Sequence, residues 1–162
     1  YYTSLGGEVA ASYFVSDGWG LELRYRELWT NLSDEATALR DRYGLVPDAR
    51  PQRRGASLGA LVPLGYAKAL VGAQVVHIDP LVALHLGVVT ADERFLPTLH
   101  LALSPTLLLR SGLKVRLDLG VTAQLEWRER GVVVTTGFLP MLGVGWGGTP
   151  GEIRARVGGG AP

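Results

Sequence analysis

The residues of this chain with chemistry to offer are three histidines and a set of regularly spaced charges. His77, His85 and His100, with Asp79 two positions after the first, belong to the types that ligate metals, imidazole and carboxylate being zinc donors. Glu22, Arg24 and Arg26 form one run at a spacing of two, and Arg116 and Asp118 form another, with Glu126 further along at the same parity. In an extended chain that spacing puts each run on one face. Gly55-Ala56-Ser57-Leu58-Gly59 matches the nucleophile pattern G-x-S-x-G, and Gly143, Gly145 and Gly148 match G-x-G-x-x-G. The first pattern works only on a sharp turn from strand to helix, and the second only where a helix N-terminus receives a pyrophosphate. Neither stretch is followed by helical periodicity. No catalytic residue, cofactor-binding residue or metal site is therefore assigned, and the chain is not read as an enzyme. The histidines are read as core groups bonded to neighbours, with His77 and Asp79 forming a pair that points the same way.

The elements that must position these groups are strands. From residue 113 to 127, Leu113, Val115, Leu117, Leu119, Val121, Ala123, Leu125 and Trp127 share one face, and Lys114, Arg116, Asp118, Gly120, Thr122, Gln124 and Glu126 share the other. A period of two means an extended strand. The run is much longer than the roughly 5–6 residues usual in soluble proteins, and it exceeds the about 9–11 that a tilted transmembrane strand needs. The pattern recurs around residues 9–15, 21–29, 75–89, 98–109 and 132–147. Near residues 58–70 either parity leaves an awkward residue, which predicts a bulge. Seven strands result. Short turns (Ser16-Asp17-Gly18, 71–74 and Arg110-Ser111-Gly112) alternate with longer, more charged connections at 31–55, 90–97 and 128–131. Short turns on one rim and longer loops on the other describe an outer-membrane barrel. In the longest loop, Ser33 or Asp34 can cap a short helix with Asp34 and Glu35 at its start, and Arg40 and Arg42 before Gly44 at its end.

Two features decide which face is inside. The polar face carries small residues (Gly87, Ala102, Ser104, Gly120, Gly137, Gly143, Gly145), which suit the crowded interior of a narrow barrel. The apolar face carries Trp19, Trp29, Trp127 and Trp146 near strand ends, as membrane-interface girdles do. With the polar face inward, Glu22, Arg24, Arg26, His77, Asp79, Arg116, Asp118 and Glu126 form a lumenal network of both signs. Paired charges of this kind predict a plugged lumen rather than an ion path.

Composition agrees. Sixteen Lys and Arg against fifteen Asp and Glu exclude a global basic field for nucleic acid. The absence of cysteine excludes disulfides and thiol chemistry, and no apolar run is long enough for a transmembrane helix.

Residues 67–89, in particular Val75-Val76-His77-Ile78-Asp79 before a Leu/Ala/Gly-rich strand, resemble the outer-membrane β-barrel domain family of myxobacterial and deltaproteobacterial type. Residues 1–22, with Gly6-Gly7 ahead of a strand and Ser16-Asp17-Gly18 at its turn, are similar to that family's second strand. The resemblance implies an OmpA-like small barrel in the bacterial outer membrane. It also implies, for some members, a place in trans-envelope gliding-motility or adhesion machinery. The expected architecture is all-β, an up-and-down antiparallel transmembrane β-barrel with seven strands in this chain and eight in the full protein. The missing strand and a signal peptide are expected upstream of Tyr1. Residues 1–147 form the barrel, 31–55 its long extracellular loop, and 148–162 a periplasmic tail. The expected role is a structural or anchoring subunit of a cell-envelope complex, with a small channel or a lipid-modifying enzyme as alternatives. Expected partners are outer-membrane lipid, lipopolysaccharide (through Arg50, Arg53 and Arg54) and envelope proteins met by the long loop or the barrel wall. No cofactor and no nucleic acid are expected.

Overall fold

A computed structural model describes residues 2–45, 51–71, 74–92, 94–109, 113–128 and 131–147. The alternating sequence becomes eight strands: β1 (Tyr2–Ser16), β2 (Trp19–Leu32), β3 (Gln52–Pro63), β4 (Ala67–Val71), β5 (Gln74–Ala91), β6 (Arg94–Leu108), β7 (Leu113–Arg128) and β8 (Gly131–Trp146). They form one antiparallel sheet in the order β1-β2-β3-β5-β6-β7-β8, with β4 also paired to β5. The sheet curls into an up-and-down, barrel-like wall, the all-β architecture expected. Each step along the wall reverses direction, so β1 and β8 at its two ends run the same way. Among the described residues they do not pair with each other.

The third crossing is split, and the split explains its ambiguous parity. β3 pairs with β5 as far as Pro63↔Leu81, and β4 resumes at Ala67↔Ile78. Leu64, Gly65 and Tyr66 therefore stand opposite only Asp79 and Pro80. One surplus residue swaps the faces, as a bulge does. Gly65 takes up the irregularity at φ 143°, and the Leu64 amide donates to the Pro80 carbonyl at 2.9 Å.

The long connection is shorter than its charge pattern suggests. Thr30 and Asn31 remain paired with Ser4 and Thr3, and β3 begins at Gln52, so the link is 33–51 rather than 31–55. It contains one helix, α1 (Asp34–Tyr43). Ser33 Oγ accepts from the Ala36 amide at 3.2 Å, and Gly44 ends the helix in the left-handed region at φ 68°. Both are standard solutions for orphan backbone groups at helix termini.

Burial follows the alternation but with inverted polarity. Leu84, Leu86, Leu99, Leu101, Leu117, Leu119 and Val121 are exposed on the outer face, whereas Glu22, Arg24, Asp118 and Glu126 are almost wholly buried inside. Two small apolar clusters flank the charges. Leu61, Ala83 and Ala102 with Phe14 lie toward the short turns, and Val89, Ala91 and Leu96 toward the longer connections. All four tryptophans are exposed. Trp19 and Trp146 sit at the short-turn rim, and Trp29 and Trp127 at the opposite rim.

Candidate functional site

The inward side chains of β2 and β7 reach across the curl and meet. Glu22 is the centre. Its Oε1 accepts from Arg24 Nε and Nη2, each at 2.5 Å, and from His85 Nε2 at 3.1 Å. Its Oε2 accepts from Arg116 Nη1 and from the Ser12 hydroxyl, each at 2.6 Å. Asp118 closes the ring, taking Arg24 Nη2 at 2.8 Å and Arg116 Nε at 2.6 Å. Arg116 Nη2 also donates to Ser104 Oγ at 3.1 Å. Arg26 holds Glu8 through Nε at 3.0 Å and Nη2 at 2.9 Å, and Glu8 stands 3.2 Å from Arg24 Nη1. Glu8, Glu22 and Asp118 thus balance Arg24, Arg26 and Arg116 one for one. A buried charge persists only when paired and hydrogen-bonded, and this network meets that condition.

Local sequence explains the placement. Glu22, Gly59, His85, His100 and Thr122 fall on one register row across β2, β3, β5, β6 and β7. Glycine at 59 is required by close approach, since a Cβ there would overlap the His85 ring, and one at Gly120 would overlap the His100 ring. His85 and His100 lie opposite each other, with ring centroids 5.8 Å apart. At Gly143 and Gly145 there is no such crowding, because β8 is an end strand.

Of the expected network, Glu22, Arg24, Arg116 and Asp118 come together, and Arg26 joins through Glu8. Glu126 is buried but pairs with Arg128 at 2.8 Å. Asp79 is buried, while His77 lies against the Tyr66 hydroxyl, ring centroids 5.5 Å apart. Ser12 and Ser104 fall outside the expected set, although parity alone puts both on the inward face. Ser57 of the G-x-S-x-G match sits inside β3, half-buried, with no helix after it. Arg54 pairs with Glu27 at 3.0 Å on the exposed outer rim, Arg53 is exposed, and Arg50, Gly148 and residues 148–162 lie outside the described residues. Among the described residues no group of three His, Asp or Glu side chains could hold a metal ion.

The chain matches no family model, no curated protein and no solved structure. The geometry alone carries the functional reading. A balanced ion-pair ring spanning the curl can lock the two halves of the wall together and obstruct the interior.

Proposed function

We propose that this chain is the wall of an outer-membrane β-barrel that acts as a structural, anchoring subunit of a cell-envelope complex. Inverted polarity carries the reading: Leu and Val form the outer face of nearly every strand while the charges are buried inside. Water would favour the reverse, and hydrocarbon favours this arrangement. Two tryptophans at each rim fit membrane interfaces. The segment 33–51, with its capped helix and exposed charges, is the surface offered to partners, and the exposed arginines at the rim suit lipopolysaccharide phosphates. Motility or adhesion machinery, implied by the family resemblance, is the assembly proposed.

Lipid does not tolerate an unpaired sheet edge, so in a membrane the edges of β1 and β8 must both be covered. Because these strands run the same way, antiparallel closure takes an odd number of further strands. One gives eight, in keeping with the even counts of bacterial single-chain barrels.

The test is reconstitution. The purified chain is expected to insert into liposomes, resist extraction by carbonate, and give no conductance in planar bilayers. Release from the vesicles by carbonate would sink the membrane reading. Steady conductance would instead establish the alternative, a small channel.

A further inference from the structure

Beyond the ion-pair ring lies a cavity of about 20 Å³, lined by Glu8, Arg24, Arg26, Ser57, His85 and His100 among others. Its volume suffices for one water-sized ligand. Several buried polar atoms of its lining residues have no hydrogen-bond partner: Arg24 Nη1, His85 Nδ1, and both ring nitrogens of His100. His100 is only 5% exposed and His85 fully buried. Arg24 Nη1 stands 3.2 Å from Glu8 but without hydrogen-bond geometry. Unsatisfied buried groups gathered on one small space indicate a ligand that satisfies them.

Which ligand fits depends on protonation. His85 Nε2 donates to the Glu22 carboxylate, so a neutral His85 presents a lone pair at Nδ1. In that state the lining asks for a ligand that both donates and accepts, as water does. Protonation of His85 or His100 converts a lone pair into a donor, and the lining then asks for an acceptor alone. The charges facing these rings are Glu8 from β1, Glu22, Arg24 and Arg26 from β2, and Arg116 and Asp118 from β7, while β3 contributes only Gly55, Ser57 and Gly59. These acids and bases already cancel. A lone proton or a lone anion would leave an unbalanced buried charge, whereas the two together leave none.

We infer that this cavity is a proton-coupled binding site for a single small halide. One proton from solvent settles on a ring nitrogen of His85 or His100 as one halide enters the cavity beside it. Arg24 Nη1 and the protonated ring donate to the ion. Linkage makes the coupling reciprocal: acid tightens halide binding, and halide favours protonation.

The test uses the full chain refolded in zwitterionic micelles and titrated with sodium chloride, with sodium gluconate as the control anion. Chloride is expected to raise the melting temperature where gluconate does not. Its apparent affinity should be roughly tenfold or more tighter at about pH 5 than at about pH 8. In unbuffered solution, chloride addition should draw about one proton per ion bound. H100Q, which keeps a polar side chain of similar size, should weaken chloride binding and flatten its pH dependence. If that variant does not fold, proton uptake by the unaltered protein decides the matter alone. Equal stabilisation by gluconate, no effect of chloride, or chloride binding without proton uptake would each overturn the site.

Discussion

Glu22 shows how much can hang on one buried carboxylate. It accepts from Arg24, Arg116, His85 and Ser12 while only 1% exposed. Substituting Glu22→Gln keeps the shape and removes the charge, leaving two guanidinium groups under-compensated in a low-dielectric interior. The expected loss is about 3–5 kcal/mol, the usual penalty for breaking a buried pair, read by urea unfolding in lipid. Arg54→Gln breaks a pair with Glu27 at the same 3.0 Å typical of good geometry, but on the exposed rim, and should change stability by less than about 1 kcal/mol. Similar losses from both variants would mean that burial does not set the worth of these pairs. Gly120→Ala offers a steric test. The added methyl group would meet the His100 ring, with an expected loss of about 1–3 kcal/mol, and Gly120→Ala combined with His100→Ala should recover part of it. The inward position of these groups was legible from parity alone. Their partners were not, because the curl of the sheet, which no local pattern encodes, sets which inward side chains meet across the lumen. Glu22 and Arg116 are the clearest case, and Tyr66 was hidden from His77 because it lies past the surplus residue that reverses parity.

At the scale of the element, each strand has a wet side and an oily side, and β7 has the cleanest division. Leu119→Arg, with the side chain on the outer face near mid-strand, should destabilise by about 2–4 kcal/mol in lipid. Unchanged stability in both detergent and lipid would argue against this face meeting hydrocarbon. The alternation that predicts the strands also predicts their faces, since one period governs both. Strand ends were less legible: Thr30 and Asn31 look like loop residues, yet β1 continues to supply pairing partners beyond them. Helix α1, by contrast, was readable at both ends, because Ser33 and Gly44 carry their conformational preferences with them. Glu35 accepts from its own backbone amide and from the Ser33 hydroxyl, both of which hold its carboxyl below the ordinary value of 4.5. A folded-state value below the unfolded one means that the stabilisation is complete above about pH 4.5 and is lost as pH falls through the lower folded value. Circular dichroism should show less helix in acid. Ser33→Ala should remove about 1 kcal/mol of helix stability at neutral pH and shrink that acid response.

For the whole molecule, the same-way run of β1 and β8 becomes a distance that can be probed. Direct closure would bring their Cα atoms within disulfide reach, whereas one intervening strand holds the two axes about 10 Å apart. The chain has no cysteine, so pairs introduced at Leu5, Val9 or Tyr13 with Val134, Phe138 or Leu142 carry no background. No pair is expected to oxidise to a disulfide in membranes, and rapid crosslinking of any pair would show a wall closed on itself. The ion-pair ring also bears on the order in which the molecule assembles. Nearly every backbone pairing joins neighbours in the chain, so the sheet can zip up from local hairpins at little loop-closure expense. The link from Glu22 to Arg116 instead spans 94 residues and can form only once the wall has already bent round. It should therefore be absent from the transition state, so that Glu22→Gln speeds unfolding while leaving the folding rate nearly untouched. On that view the charged ring is a latch on a door already shut, and its contribution is the length of time the protein stays folded.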